Sequence, residues 1–275
     1  LSSLDIQPDF TYSKPQQSTK LLYVHRKLSD GDLYWINSRN DTAQIVEATF
    51  RITGKTPQIW HPETGITEPA SYTIANGLTK VTLPLTPNDA VFVVFQSPAT
   101  KTTVTLPATE KKEIMTLEGP WTVSFQPNRG APATATFHKL TSYTESQDPA
   151  IRYFSGRATY SKTIHLAPGA INKNAHVWLD LGDVKNLAEI TVNGQPLGVV
   201  WKNPYRVEVT NALKAGGNKV EIKVINLWVN RLIGDAQPGV TNKITYTAMP
   251  FYQANSPLQS SGLLGPVKIE SVVRK

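Results

Sequence analysis

Apolar and polar positions alternate with a period of two through most of this chain. In "KVEIKV", Val220, Ile222 and Val224 fall on one face while Lys219, Glu221 and Lys223 fall on the other. That is the mark of a half-buried strand. "VWLDLG" repeats it, with Val177, Leu179 and Leu181 set against His176, Trp178 and Asp180. Earlier, Val46, Ala48, Phe50 and Ile52 alternate with Glu47, Thr49 and Arg51, and "LYWIN", "VTLPL" and "AVFVVF" are further strand-like runs. "HPETG" at 61–65 predicts a turn, with Pro62 and Gly65 at turn-favoured positions. In "AEITVNGQPLGVVW", Asn193-Gly194 lies between two alternating runs, the strongest short-range hairpin signal a sequence carries. "RVEVTNALKAGGNKVEIKV" predicts a strand, a short helical turn, a break at Gly216-Gly217 and a second strand. No amphipathic helix of three turns is predicted.

A long irregular excursion follows from Asn226 to about Gly262, and "GPVKIESVVRK" returns as a last strand. Short strands with frequent turns point to sandwiches, and long excursions between strands suit a jelly roll. The expected fold is all-β: two β-sandwich domains in series, the second a jelly roll. The polar, Pro- and Thr-rich stretch at about 97–112 is the expected boundary, giving domains 1–100 and 101–275.

One place breaks the alternation. After "KVEIKV" the apolar phase slips by one, to Ile225, Leu227 and Val229 in "INLWVNRLIGD". A continuing strand would then aim Asn226, Trp228 and Asn230 inward, so the slip predicts a β-bulge that re-aims these side chains.

Composition narrows the chemistry. There is no cysteine, which removes disulfides, thiolate zinc sites and cysteine nucleophiles together. No apolar run reaches the roughly 20 residues of a membrane span. The chain begins at Leu1 without a signal segment, which reads as a processed product or a fragment. The net charge is +7, but the basic residues are scattered, with only short groupings at Lys111–Lys112 and between Lys20 and Lys27. No nucleic-acid-binding motif accompanies them, so nucleic acid is not an expected partner. An acidic polysaccharide stays open on charge.

Several long motifs, in order, carry a resemblance. "GPWTVSFQP", "IRYFSGRATYSKTIHL", "VWLDLGDVKNLAEITVNGQPLGVVWKNPYRVEVTNAL" and "INLWVNRLIGD" resemble the sugar-binding jelly roll of family 2 glycoside hydrolases, within the galactose-binding-like group. The version ending in "NLWVNRLIGD" is similar to the C-terminal region of family 106 α-L-rhamnosidases. "YVHRKLSDGDLYWINSRND…ATFRITGKTPQIWHPETG" and the earlier "QPDF" resemble the sandwich that follows the catalytic barrel in that family. The resemblance implies a non-catalytic C-terminal region, with the catalytic carboxylates on a barrel upstream. It also implies a bacterial exported protein, periplasmic or extracellular.

Glycoside hydrolysis needs two carboxyl groups flanking one sugar. The candidates, Asp180, Asp183 and Glu189, or Asp30 and Asp32, read as surface and turn carboxylates, so the chain alone is not expected to be catalytic. The histidines at 25, 61, 138, 165 and 176 lack paired metal-ligand spacing, and "SDGD" lacks the rest of a calcium loop. No metal or cofactor is expected. Sugar binding needs aromatic faces beside planar polar groups. "WKNPYR" offers Trp201, Tyr205 and Arg206, and the slipped stretch offers Trp228, Asn230, Arg231 and Asp235. These seven residues are the candidate site, for carbohydrate or for docking onto a barrel. Trp228 as a plug at the sandwich end, and Arg231 paired with Asp235 to pin a loop, are the structural alternatives. In the first domain, His25 and Arg26 are expected before a strand, where the resemblance places them near a barrel. Three functions compete: an accessory brace for a rhamnosidase-type barrel, an autonomous module for plant or algal polysaccharide, and a small glycosidase on a β-sandwich.

Overall fold

The computed structural model describes residues 6–172 and 175–274. The chain divides into two compact units, Leu1–Ala108 and Thr109–Lys275. Its secondary structure is almost entirely antiparallel strand, in sheets that pair as sandwiches.

The first unit contains two five-stranded sheets. One runs Phe10–Tyr12, Gln44–Phe50, Leu78–Leu85, Tyr72–Ala75, Thr103–Val104, and the other Leu21–Lys27, Asp32–Ser38, Ala90–Pro98, Lys55–Trp60, Thr67–Pro69. Alternation does the work expected of it. Val46, Ala48 and Phe50 are fully buried, and so are Tyr34, Ile36, Val93 and Phe95 from the facing sheet. The strand stops at Phe50, and Ile52 packs onto the same core from beyond its end. His25 and Arg26 lie inside the strand Leu21–Lys27 and precede the strand Asp32–Ser38 that it pairs with. The 28–31 turn closes with Leu28 N–H donating to Gly31 C=O, so 28–31 is a hairpin loop and the last residue of "SDGD", Asp32, starts the next strand.

In the second unit a six-stranded sheet runs Thr134–Phe137, Trp121–Phe125, Arg157–Leu166, Gly216–Ile225, Leu187–Val192, Gln195–Val200. A four-stranded sheet pairs Thr109–Thr116 with Lys268–Arg274, then His176–Asp180 and Arg206–Glu208. Neighbours far apart in sequence are the jelly-roll feature: the unit's first strand lies beside its last. Trp121, Tyr160, Leu179, Ile222 and Ile269 from both sheets form one core. At the predicted hairpin, Val192 pairs with Gln195. Asn193 and Gly194 between them have φ of 52° and 82°, the two positive angles a type I′ turn requires. Gly216-Gly217 opens the strand Gly216–Ile225 and does not separate it from the preceding turn.

The phase slip has a different cause from the one expected. The strand ends at Ile225, which still pairs with Arg157 and Leu187, and there is no bulge there. The chain turns instead into the seven-residue helix Val229–Asp235. Asn226 makes the break. Its Oδ1 accepts from Gly156 N (2.8 Å), while its Nδ2 donates to Phe154 C=O (2.9 Å) and Ser261 Oγ (2.5 Å). Its side chain thus ties two backbone groups of the 154–156 segment and the Ser261 hydroxyl to the strand end, while its own N–H still donates to Gly156 C=O (3.4 Å).

Candidate functional site

Register brings Trp201 and the stretch that starts at Asn226 to one end of the six-stranded sheet, while Arg206 opens a strand of the four-stranded sheet. Ala188 sits opposite both Val200 and Val224, and Leu187 opposite Ile225. Trp201 therefore leaves the sheet at the same end as Asn186 and the 226–228 segment. The Asn203–Pro204 and Lys185–Asn186 peptide bonds there are cis.

Three of the seven residues turn inward. Asn230 is 3% exposed; its Nδ2 donates to Gln259 C=O (2.7 Å) and its Oδ1 accepts from Gln259 N (2.9 Å). Arg231 Nη2 and Asp235 Oδ1 form an ion pair at 3.0 Å, one helical turn apart. Asp235 Oδ2 also accepts from Ile244 N (3.0 Å), Thr245 N (2.7 Å) and Thr245 Oγ1 (2.6 Å). The helix thereby holds the long excursion at two points: Asp235 grips 244–245 near its middle and Asn230 grips 259 near its end. This is the loop-pinning pair that the sequence offered as an alternative.

The two tryptophan candidates turn outward. Trp201 is 58% exposed and Trp228 44%, so Trp228 does not plug the sandwich. The Arg129 guanidinium lies 4.8 Å from the Trp228 ring centroid, a cation–π contact. Arg206 lies 4.8 Å over the Trp178 ring. Tyr205 packs partly on the core, and burial pushes its hydroxyl pKa up, with Lys185 opposing and Asp183 adding to the shift.

Each carboxylate considered for catalysis has a structural partner. Asp30 accepts from Gln96 Nε2 (3.0 Å), and Asp180 accepts from Gly182 N (2.9 Å). Asp183 pairs with Lys185 (2.8 Å), and Glu189 pairs with Lys223. Asp32 corrects the expectation of a surface turn residue: it is buried at a strand start. Its Oδ1 lies 3.0 Å from His25 Nε2 and its Oδ2 3.6 Å from Lys55. His25 bridges onward to Asp9 (3.1 Å) and stacks on Tyr34 at 4.0 Å. Burial, and then the hydrogen bond to Asp9, push the Tyr34 hydroxyl pKa far up. Among the described residues no group of three or more acidic or histidine side chains could hold a metal ion.

Sequence reasoning missed a cleft of about 200 Å³ beside the helix. Its walls are Lys185, Asn186, Leu227 and Val229 on one side and Gln259, Ser260 and Ser261 on the other, with Asn230 between. Only Asn230 was a candidate. Asn186, Asn230 and the 259–261 segment lie 29 or more residues apart in sequence and carry no local signal of convergence.

Residues 1–74 match the α-L-rhamnosidases of glycoside hydrolase family 106, and residues 139–252 match the galactose-binding-like domain of family 2 glycosyl hydrolases. A solved rhamnosidase from Novosphingobium sp. PP1Y superposes with a TM-score of 0.92 at 45% identity, over 98% of this chain and 25% of that one. The chain is similar to family 106 α-L-rhamnosidases. A Formosa agariphila protein provisionally named a β-glucuronidase is 37% identical over 182 residues, 58% of this chain and 16% of that protein. The rhamnosidase-like chain thus spans a quarter of the solved relative's length or less. It is a glycoside-hydrolase-related region with a galactose-binding-like sandwich. Among its described residues no helix is long and apolar enough to cross a membrane.

Proposed function

We propose that this chain is a non-catalytic accessory region of an α-L-rhamnosidase-like glycoside hydrolase. Its two sandwiches brace a catalytic barrel belonging to the same enzyme and offer it carbohydrate contacts. The observation that carries this reading is the likeness of nearly the whole chain to one quarter of a rhamnosidase. The carboxylates agree with it. Hydrolysis needs two of them facing one sugar across a gap of about 5–10 Å, and here each candidate is engaged with a lysine, a histidine, an amide or a backbone N–H. An exported setting, periplasmic or extracellular, belongs to the same proposal.

Two measurements test it. The 275-residue chain is expected to leave an aryl α-L-rhamnoside unhydrolysed. Deleting the matching quarter of the Novosphingobium rhamnosidase is expected to lower its melting temperature and activity, and fusing this chain in its place to restore them. Turnover by the chain alone, or a truncated enzyme as stable and active as the whole, would overturn the accessory role.

A further inference from the structure

The cleft at the end of the second sandwich combines three features. First, its floor is fixed: Asn230 is clamped by both amide atoms to the Gln259 backbone, and Ser261 Oγ accepts from Asn226 Nδ2 at 2.5 Å. That bond leaves the Ser261 O–H proton uncommitted, on a residue that lines the cleft and is 2% exposed. Second, the rim is polar and uncommitted. The side-chain amides of Asn186 and Gln259 have no protein partner among the described residues. Each offers a carbonyl acceptor and an NH₂ donor in one plane, the pattern that matches adjacent hydroxyls on a sugar ring. Third, the wall is apolar: Leu227, 51% exposed, stands beside Val229.

Charge narrows the ligand. Lys185 lines the cleft, but its Nζ is paired with Asp183 Oδ1 at 2.8 Å. The cleft therefore presents polar groups without a free charge, which suits a neutral sugar better than a uronate. Size narrows it further. About 200 Å³ falls below the roughly 300 Å³ at which drug-sized pockets begin, leaving room for a single ring. The apolar wall favours a ring that carries a methyl group where most hexoses carry a hydroxyl.

We propose that this cleft binds one neutral 6-deoxypyranose unit, held by Asn186, Gln259 and Ser261 through its hydroxyls and by Leu227 through its methyl. The choice of a 6-deoxy sugar rests on the rhamnosidase-like reading above; the cleft's polar geometry does not.

The test titrates the whole chain with methyl α-L-rhamnopyranoside and methyl α-L-mannopyranoside, which differ only at that methyl. Binding is read by amide chemical shifts and calorimetry. Saturable binding of the rhamnoside at about millimolar concentration is expected, with the mannoside weaker. Asn186→Ala and Gln259→Ala should each weaken it about fivefold, the worth of a net hydrogen bond. Both side chains lie outside the core, so melting temperatures should hold. Leu227→Ser should abolish the preference between the two sugars. No saturable shift, equal affinity for both sugars, tighter binding of a methyl glucuronide, or variants that bind like the parent would overturn the proposal. Hydrolysis of an aryl rhamnoside by the chain would sink the accessory reading and leave this cleft standing.

Discussion

Asp235 shows how much one buried side chain can hold. It is 4% exposed, pairs with Arg231 and accepts three bonds from residues 244 and 245. Removing it leaves the Arg231 guanidinium buried without its partner, a change that costs about 3–5 kcal/mol. Asp235→Ala should therefore lower the urea midpoint of the second unit by that equivalent, and a loss under about 1 kcal/mol would show the pair to be dispensable. His61 makes a pH-dependent contribution in the first unit. Its hydrogen bond to Glu68, against a smaller opposing effect of burial, raises its pKa above the ordinary 6.5. A raised value means that the folded state holds the proton more tightly than the unfolded chain. The stabilisation is then fully present below about pH 6.5 and lost as pH rises through the folded-state value. Glu68→Gln should accordingly lower the melting temperature at pH 5.5 and have little effect near pH 9. A difference that stays constant across that range would assign Glu68 a role other than this pair.

Among the elements, the hairpin and the helix contrast in what they ask of the sequence. The hairpin's turn residues adopt positive φ, which Asn tolerates and Gly adopts freely. Gly194→Val should cost about 1–2 kcal/mol from the left-handed conformation alone, since nothing lies within 4 Å of a Cβ there. A neutral result in chemical denaturation would mean that the turn rearranges. The helix Val229–Asp235 is crowded instead. A Cβ on Gly234 would meet Arg231 Nη2 and Tyr153 Cβ at 2.6 Å each. Gly234→Ala is thus expected to displace Arg231 and destabilise the second unit by about 1–3 kcal/mol. This helix was invisible to periodicity because its buried face is Asn230, Arg231, Ile233, Gly234 and Asp235. The spacing is helical, but the residues are polar or small, and an apolar count cannot see them. The same stretch read as a strand slip because Ile225, Leu227 and Val229 fell by chance at alternate positions.

At the scale of the whole molecule, each unit has its own core. Separate fragments 1–108 and 109–275, cut where the units divide, should each unfold cooperatively with dispersed amide spectra. Collapse of either fragment into an unfolded chain would show that its core depends on the other unit. The second fragment should also retain the cleft, all of whose walls come from the second unit.

The all-β class, most strands, their buried faces and the Asn193-Gly194 turn were readable from the sequence, because each rests on neighbours two residues apart or on one residue's backbone preference. The candidate site was readable only in part. Arg231 and Asp235 lie four residues apart and could be paired on paper, but whether Trp228 was plug or surface was left to the tertiary structure, which leaves it exposed beside Arg129. Which side chains meet across long stretches of chain was left to the tertiary structure. Asn186, Leu227, Gln259 and Ser261 converge because a sheet end, a short helix and a returning excursion are tied together by Asn226, Asn230 and Asp235. Such convergence is a property of register and long-range hydrogen bonds, and local alternation carries no record of it.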